Sequence, residues 1–348
     1  MTKPIRIINS AAPIRICDLG GWTDTWFAQH GAVFNIAVYP FVQVQAFVYR
    51  AADRKDRVTV FAENYGESFA VNQSRLLLQG KHALLEAAFA LMQVPQDLAI
   101  EVHLYSEAPA GASTGTSAAV SVALLGALDA LTPGRLSPYE AAQTAQRLET
   151  EVLGLQCGIQ DQLCSAYGGV NFIQMTQYPH ASVSPLPLAE AVLWELERRL
   201  MLVYLGSAHV SSDVHKLVIK ELEACGANDP RLEGLRAQAA RAKNAILAGD
   251  FHELGAAMQA NTDCQAQLHP DILGENAQRV LELARACDAW GWKLNGAGGN
   301  GGSITLLFGS AGRDKRRFAE LLSQQMPSAR LVPIHLSPTG LRVWESQV

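Results

Sequence analysis

The sequence predicts an α+β fold in two halves, and three observations carry that prediction. The first hundred residues are mostly strand-like, helical patterning takes over after residue 115, and a second round of strand and helices opens at residue 201. At 348 residues the chain is long enough for two domains or one elaborate one. Runs of strands followed by runs of helices do not fit a doubly wound sheet.

Residues 4–8 and 12–17 alternate or run apolar, and GAVFNIAVYPFVQVQAFVYRA at 31–51 reads as one or two further strands. VTVFAE at 58–63 and LAIEVHLYS at 98–106 continue the pattern, with a helix near 82–93 between them. Thr116 to Leu131 is Ala-rich and almost wholly apolar, as a buried helix is. Ser137, Pro138 and Glu140 make a helix start: an N-cap serine, proline at the first position, and a glutamate completing a capping box. That helix keeps Ala141, Ala145, Leu148 and Val152 on one face, and a short helix near 159–167 precedes the strand GGVNFIQM. PLPLAEAVLWELE at 185–197 is the candidate domain junction. The strand MLVYLGS at 201–207 then leads into helices at about 212–224, 230–247, 250–266 and 275–289. WKLNGAGGNGGSITLLF at 292–308 is a glycine loop running into a strand, followed by a helix at 313–325 and a last β segment.

A net charge of −5 leaves no basic footprint, so nucleic acid and acidic membrane surfaces are not expected as main partners. A small anion remains compatible, because backbone N–H groups hold phosphate without net positive charge. No apolar stretch reaches the length of a membrane span, and the start lacks a signal-peptide core. Six scattered cysteines without a C-x-x-C pair read as thiols of a reducing compartment, so the cytoplasm is the expected address.

Four clusters carry chemistry. Within PAGASTGTSAAV at 109–120, Gly111 to Gly115 fit the G-x-S-x-G nucleophile elbow, and the same residues fit a phosphate cradle. A serine hydrolase would pair Ser113 with Asp161 or Asp213 and with His269 or His335. Against it, Pro109 interrupts the strand that an elbow requires. As a cradle, Gly115, Thr116, Ser117 and Ala118 offer free N–H groups at the positive end of a helix. The hydroxyls of Ser113, Thr114, Thr116 and Ser117 add hydrogen bonds or a metal ligand, where a simple N-cap needs one. The second cluster, Gly296 to Gly301, matches G-x-G-x-x-G but runs into the strand SITLLF, so it is no dinucleotide fingerprint. It reads as backbone that approaches a ligand closely. No Walker A loop exists, since Gly80-Lys81 is followed by His82. In the third cluster, CGIQDQ places Asp161 after Glu149 and Glu151, which flank an apolar helical stripe on opposite sides. Only one of the two can share a site with Asp161, and one carboxylate for Mg²⁺ with one for an acceptor hydroxyl suits phosphoryl transfer. The fourth cluster, Arg15 with Asp18 to Thr25, is a polar pocket with an aromatic wall, which suits a sugar. His209, Asp213, His215, Asn261, Asp263 and His269 are candidates to line the acceptor pocket from the second half.

In this order the clusters resemble the GHMP kinases (galactokinase, homoserine kinase, mevalonate kinase, phosphomevalonate kinase), from residue 12 to about 308. APIRICDLGGWTDT is similar to the first family motif, PAGASTGTSAA to the second and KLNGAGGNGGSITLL to the third, with CGIQDQ resembling the segment of the catalytic aspartate. GGWTDT followed by GAVFNIAV most resembles the fucokinase and D-glycero-D-manno-heptose 7-phosphate kinase branch, sugar 1-kinases that phosphorylate the anomeric hydroxyl. The resemblance implies a ribosomal-protein-S5-like ATP-binding domain at 1–190, a ferredoxin-like domain at 191–348, and an active site between them. It implies ATP and Mg²⁺ as cofactors, a small sugar as substrate, and a homodimer as a possible assembly. Pro109, Gly111, Ser113, Thr114, Gly115, Thr116, Ser117 and Ala118 would hold the nucleotide phosphates, braced by Gly298 and Gly299. Thr116 or Ser117 with Glu149 would bind Mg²⁺. Asp161 would orient or deprotonate the sugar hydroxyl, and Arg15 would steady it. Asp18, Gly20, Gly21, Trp22, Thr23, Asp24 and Gly158 would form the sugar side. Ser113 stands where the family motif G-L-G-S-S-A keeps glycine, Thr116 replaces a serine, and Asn295 and Asn300 replace commoner residues. A non-catalytic sensor on the same fold is the other alternative, and retention of Asp161, Glu149 and Arg15 argues against it.

Overall fold

The computed structural model describes residues 3–72, 82–133, 135–207, 213–299 and 301–348, with the side chains of residues 213 and 214 excepted. His209 and Asn300 lie outside the described residues. Two long strands form the spine. β1 (Arg6–Leu19) and β2 (Gly31–Arg50) pair antiparallel over most of their length. The sequence suggested shorter pieces because Asn9 and Ser10 break the apolar run. Asn9 keeps the strand continuous by bonding across it, donating to Ser346 Oγ and accepting from Gln45, both at 2.8 Å.

β2 then changes partner along its length. Val42–Arg50 pair with β5 (Leu98–Ser106), while Gly31–Ile36 pair with β6 (Val170–Gln177). β3 (Val58–Ala62) lies parallel to β5 and carries β4 (Glu67–Ala70) at the edge. β7 (His180–Pro185) pairs with β6; its polar sequence HASVSP hid it from periodicity. The helices α1 (Ala83–Leu91), α2 (Thr116–Asp129), α3 (Pro138–Arg147) and α4 (Gln160–Tyr167) accompany this sheet. The capping box is present at α3: the Glu140 N–H donates to Ser137 Oγ, and Glu140 accepts from the Ser137 N–H at 2.8 Å. α3 continues as a wider π turn over Leu148–Val152.

The candidate junction at 185–197 is not a linker. It is the end of β7 and most of α5 (Glu190–Arg199), which runs directly into β8 (Leu200–Tyr204). Beyond it come α6 (Asp213–Cys225), α7 (Pro230–Leu247), α8 (Phe251–Ala266), α9 (Glu275–Ala286), β9 (Ala289–Leu294), β10 (Ser303–Phe308), α10 (Gly312–Gln325) and β11 (Arg330–Val332). Their antiparallel sheet has the order β11-β8-β10-β9, the pattern of a ferredoxin-like βαββαβ unit. The fold is therefore α+β, with a nine-stranded and a four-stranded sheet.

Two features depart from a division at 190/191. The last strands, β12 (His335–Leu336) and β13 (Arg342–Ser346), return to the first sheet, where β13 covers the edge of β1 and β12 pairs with β2. An uncovered β1 would present a long row of unpaired backbone groups. In addition, Ala239, Ala242 and Ile246 of α7 and Leu254, Ala257 and Met258 of α8 belong to the hydrophobic core of the first sheet. Leu232 and Leu235 of α7 join the second core with Ile304, Leu306 and Phe308. α7 thus contributes to both cores. No helix among the described residues is long and apolar enough to cross a membrane, and all six cysteines are free.

Candidate active site

β1, the turn after it, the β5–α2 loop, the start of α4 and the loop between β9 and β10 converge on a cavity of about 410 Å³. The β5–α2 loop is wound by three left-handed residues, Gly111 at φ +67°, Ser113 at φ +56° and Gly115 at φ +69°. Gly115 is the N-cap of α2 and brings no side-chain acceptor, so the first-turn N–H groups have no side-chain cap. Thr116, Ser117 and Ala118, which carry N–H groups of that turn, line the cavity. Thr116 Oγ1 is 3.3 Å from Thr114 Oγ1, and Ser117 is exposed. An uncapped helix start opening on a cavity is an anion site.

Against this turn lies the expected catalytic pair. Arg15 grips Asp161 with two donors, Nε to Oδ1 at 2.7 Å and Nη2 to Oδ2 at 3.2 Å, and its Nη1 donates to the Ser113 carbonyl. The bidentate fork fixes the carboxylate plane. Burial opposes the Arg15 charge, but Asp161 and Asp18 outweigh it and hold the guanidinium's pKa above its ordinary value. Asp161 keeps 28% of its side chain exposed, so a ligand reaches it. A Cβ on Gly115 would lie 3.1 Å from the Asp161 carboxylate and 3.2 Å from Arg15, so glycine there lets the loop close on the pair.

The choice between Glu149 and Glu151 is resolved by the π turn. Glu149 is buried, lines the cavity and accepts from Gln162 at 2.9 Å, while Glu151 pairs with Arg147 on the surface. Burial pushes the Glu149 carboxyl up to about 7; the Gln162 amide opposes this and the charge of Asp161 adds to it.

Asp24 holds the start of α4. Its Oδ2 accepts from the Ile159 and Gln160 N–H groups, each at 2.9 Å. Burial pushes its carboxyl up to about 6, with the two amides opposing and Asp161 adding. Gly158 is obligatory beside it, because a Cβ there would meet Asp24 Oδ2 at 2.0 Å. Asp18 is enclosed by Lys293 and Arg15 and accepts from the Gly296 N–H at 3.1 Å. Burial alone would raise its pKa, but the two cations hold it below the ordinary carboxylate range.

Of the other expected residues, Trp22, at φ +77°, lines the cavity with its ring 5.0 Å from that of His215. Gly20, Gly21 and Thr23 stand behind that wall: the Gly20 N–H donates to Asn261 and the Thr23 hydroxyl donates to the Gly20 carbonyl. Pro109 makes the turn into the loop without lining the cavity. Gly296 and Ala297 line it, whereas Gly298 and Gly299 pack away from it against Ile272, whose carbonyl accepts the Gly299 N–H at 2.7 Å. From the second half His215 reaches the cavity. Asn261 is buried, Asp263 is exposed, and His269 accepts from the Asp271 N–H.

The hydrolase arrangement is absent among the described residues. Ser113 Oγ has no hydrogen-bond partner there and faces Gly302, whose Cβ would come within 2.6 Å. Asp161 is held by Arg15, and His335 sits beside Glu197. Sequence reasoning missed Lys293, Gln160 and Gln162. The single signal was a lysine inside the apolar run of β9.

Residues 81–169 match the GHMP kinases N terminal domain and residues 242–326 the GHMP kinases C terminal domain. The chain is 24% identical over 308 residues to a D-glycero-alpha-D-manno-heptose 7-phosphate kinase of Campylobacter jejuni, covering 85% of this chain and 88% of the relative. It is 25% identical to a bifunctional fucokinase/GDP-fucose pyrophosphorylase of Arabidopsis thaliana, covering 84% of this chain and 29% of that protein. Among solved structures, a D-glycero-D-manno-heptose 1-phosphate kinase from Bacteroides thetaiotaomicron shares the fold, with a TM-score of 0.76, 20% identity and coverage of 98% and 100%.

Proposed function

The chain belongs to the GHMP kinases, and from that premise we propose that it is a sugar kinase that moves the γ-phosphoryl group of ATP onto the anomeric C1 hydroxyl of a sugar. The observation that carries this reading is the Arg15–Asp161 pair lying against the uncapped start of α2. The α2 N–H groups hold phosphate oxygens, and Asp161 receives the acceptor hydroxyl. The sugar oxygen then bonds to the γ-phosphorus as the bond to the β–γ bridging oxygen breaks, ADP leaves, and the hydroxyl proton passes to Asp161. Positioning and charge neutralisation carry most of the rate, because a loose transition state needs little prior deprotonation.

The donor set fits a magnesium ion. Glu149 is a buried carboxylate with one neutral donor, and the Thr116 and Ser117 hydroxyls line the same cavity. Mg²⁺ takes one or two carboxylates and completes its shell with phosphate oxygens and water. When bound, it would neutralise charge on the transferred phosphoryl group.

Trp22 and His215 offer an aromatic wall, and Asp24 lies beside them in the cavity lining. Among the described lining residues Arg15 is the one arginine or lysine, and it is committed to Asp161. That charge balance favours a sugar without a phosphate of its own. Six free thiols suit a cytoplasmic setting.

An ADP-release screen with Mg·ATP over fucose, arabinose, galactose, mannose, glucuronate and heptose 7-phosphate tests the reading. The expected result is turnover of a neutral sugar with ³¹P–¹³C coupling at C1. Phosphate on another carbon overturns the anomeric assignment, preference for heptose 7-phosphate overturns the neutral-sugar reading, and no ADP release across the panel favours the sensor alternative.

A further inference from the structure

Lys293 is a lysine in the interior of a strand. It lies in β9 between Trp292 and Leu294, 1% exposed, outside the cavity lining. Its ammonium is 3.3 Å from Asp18 Oδ1, donates to Gln265 Oε1 at 2.9 Å, and donates to the Leu294 carbonyl. Two accepted N–H bonds and a carboxylate at 3.3 Å suit an ammonium at this nitrogen; burial lowers its pKa and the charge of Asp18 opposes that shift.

The far side of Asp18 leads to the reacting groups. Its Oδ2 is 3.8 Å from Arg15 Nη2, and that same nitrogen is 3.2 Å from Asp161 Oδ2. The order along the chain of contacts is therefore Lys293, Asp18, Arg15, Asp161, with charges alternating from positive to negative. Arg15 Nη2 lies between two carboxylates, and the nearer one is Asp161. Asp18 is 1% exposed, so water does not compensate it if a cation is removed. Its carboxylate also accepts the Gly296 N–H, the residue through which the β9–β10 loop enters the cavity.

We propose that Lys293 is a positioning residue: by satisfying Asp18 it leaves the Arg15 fork on Asp161, and through Asp18 it ties the β9–β10 glycine loop to that pair. Without Lys293, Asp18 is a buried carboxylate whose nearest remaining cation is Arg15, and it draws Arg15 away from Asp161. The inference rests on Asp161 being the acceptor carboxylate of the proposed kinase.

The test is a pair of mutant cycles. In the first, kcat and the KM for ATP are measured for K293M, D18N and K293M/D18N. K293M is expected to lose about 10²-fold in kcat through misplacement of Asp161, with KM for ATP little changed. K293M/D18N is expected to recover about tenfold of that loss, because two neutral side chains leave Arg15 with Asp161 alone. A purely structural lysine predicts no such rescue, and a double variant no better than K293M overturns the proposal. If K293M does not accumulate as folded protein, recovery of folded, active K293M/D18N supports the proposal and failure to recover it overturns it.

The second cycle needs no turnover. K293M leaves the cluster one negative charge in excess, D161N leaves one positive charge in excess, and the double variant is balanced. The double variant's fall in melting temperature is expected to be smaller than the sum of the single falls, although Lys293 and Asp161 share no contact. An additive result overturns the proposal. A wild-type protein without phosphoryl transfer defeats the kinase reading instead, and the melting cycle then decides this inference alone.

Discussion

Adding one methyl group at Gly158 tests how α4, which carries Asp161, is held in place. A Cβ at that position would lie 2.0 Å from Asp24 Oδ2 and 2.6 Å from Cγ, far inside contact distance. The Gly158 backbone itself accepts alanine, since its φ lies outside the left-handed region. The carboxylate must therefore leave, and it gives up two N–H bonds of 2.9 Å to Ile159 and Gln160. Hydrogen bonds to a charged group contribute about 1.5–3 kcal/mol each, so Gly158→Ala should destabilise by about 3 kcal/mol even if one bond re-forms to water. For a chain of this size that is a fall of roughly 4 °C in melting temperature. Asp24→Ala removes the same two acceptor contacts, and with the carboxylate gone the clash goes too. The double variant should therefore melt close to either single one. Differential scanning calorimetry of the four proteins decides it. A Gly158→Ala protein melting within about 2 °C of wild type, or a double variant showing the full sum of two losses, refutes the reasoning.

Three further outcomes follow from the site. Asp161→Asn should lower kcat by about 10²–10⁴ in an ADP-release assay while the protein stays folded, and retention of more than a tenth of the wild-type rate would count against its role. The Asp24 carboxyl is raised to about 6 in the folded protein, so its favourable contribution is complete below its unfolded pKa and is lost as pH rises through about 6. Relative to Asp24→Asn, wild type should lose on the order of 3 kcal/mol between about pH 4 and pH 7, read from pH-dependent melting; a flat difference curve contradicts the assignment. Ser113 sits at φ +56° with a buried Oγ that has no partner among the described residues. Left-handed backbone disfavours a non-glycine residue by about 1–2 kcal/mol, and glycine returns about 0.4–1 kcal/mol of that through the unfolded chain. Ser113→Gly should therefore melt at or slightly above the wild-type temperature, and a clear loss of stability would show that the hydroxyl has a structural use.

Local patterns were legible where a local rule decides the outcome. The capping box at Ser137, the buried helix from Thr116 and the helix carrying Asp161 all follow from residues a few positions apart. Tertiary pairing escaped such rules. β12 has two residues and β13 five, too few for a periodic signal, yet both complete the first sheet. The same limit applies to the site. Glu149 and Glu151 are one residue type two positions apart, and only the π turn selects the inner one. Gly296 and Gly299 are likewise identical in sequence, but one meets the cavity and the other Ile272. Lys293 escaped notice because its partner Asp18 is 275 positions earlier in the chain.

The return of β12 and β13 makes the four-stranded half an insertion, entered through α5 and left after β11, within a domain that both ends of the chain build. Ile7 lies opposite Ser346 in neighbouring strands, so the covalent circuit is nearly closed. A fragment ending at residue 190 would lack the strand that covers β1 and the helical faces that cover the sheet, and it should aggregate through that open edge. A circular permutant that joins the two termini through a short linker and opens an exposed turn instead keeps every pairing, so it should fold and turn over like the parent. The two halves are tethered at both ends of the insertion, which makes Asp161 and the glycine loop between β9 and β10 parts of one continuous frame.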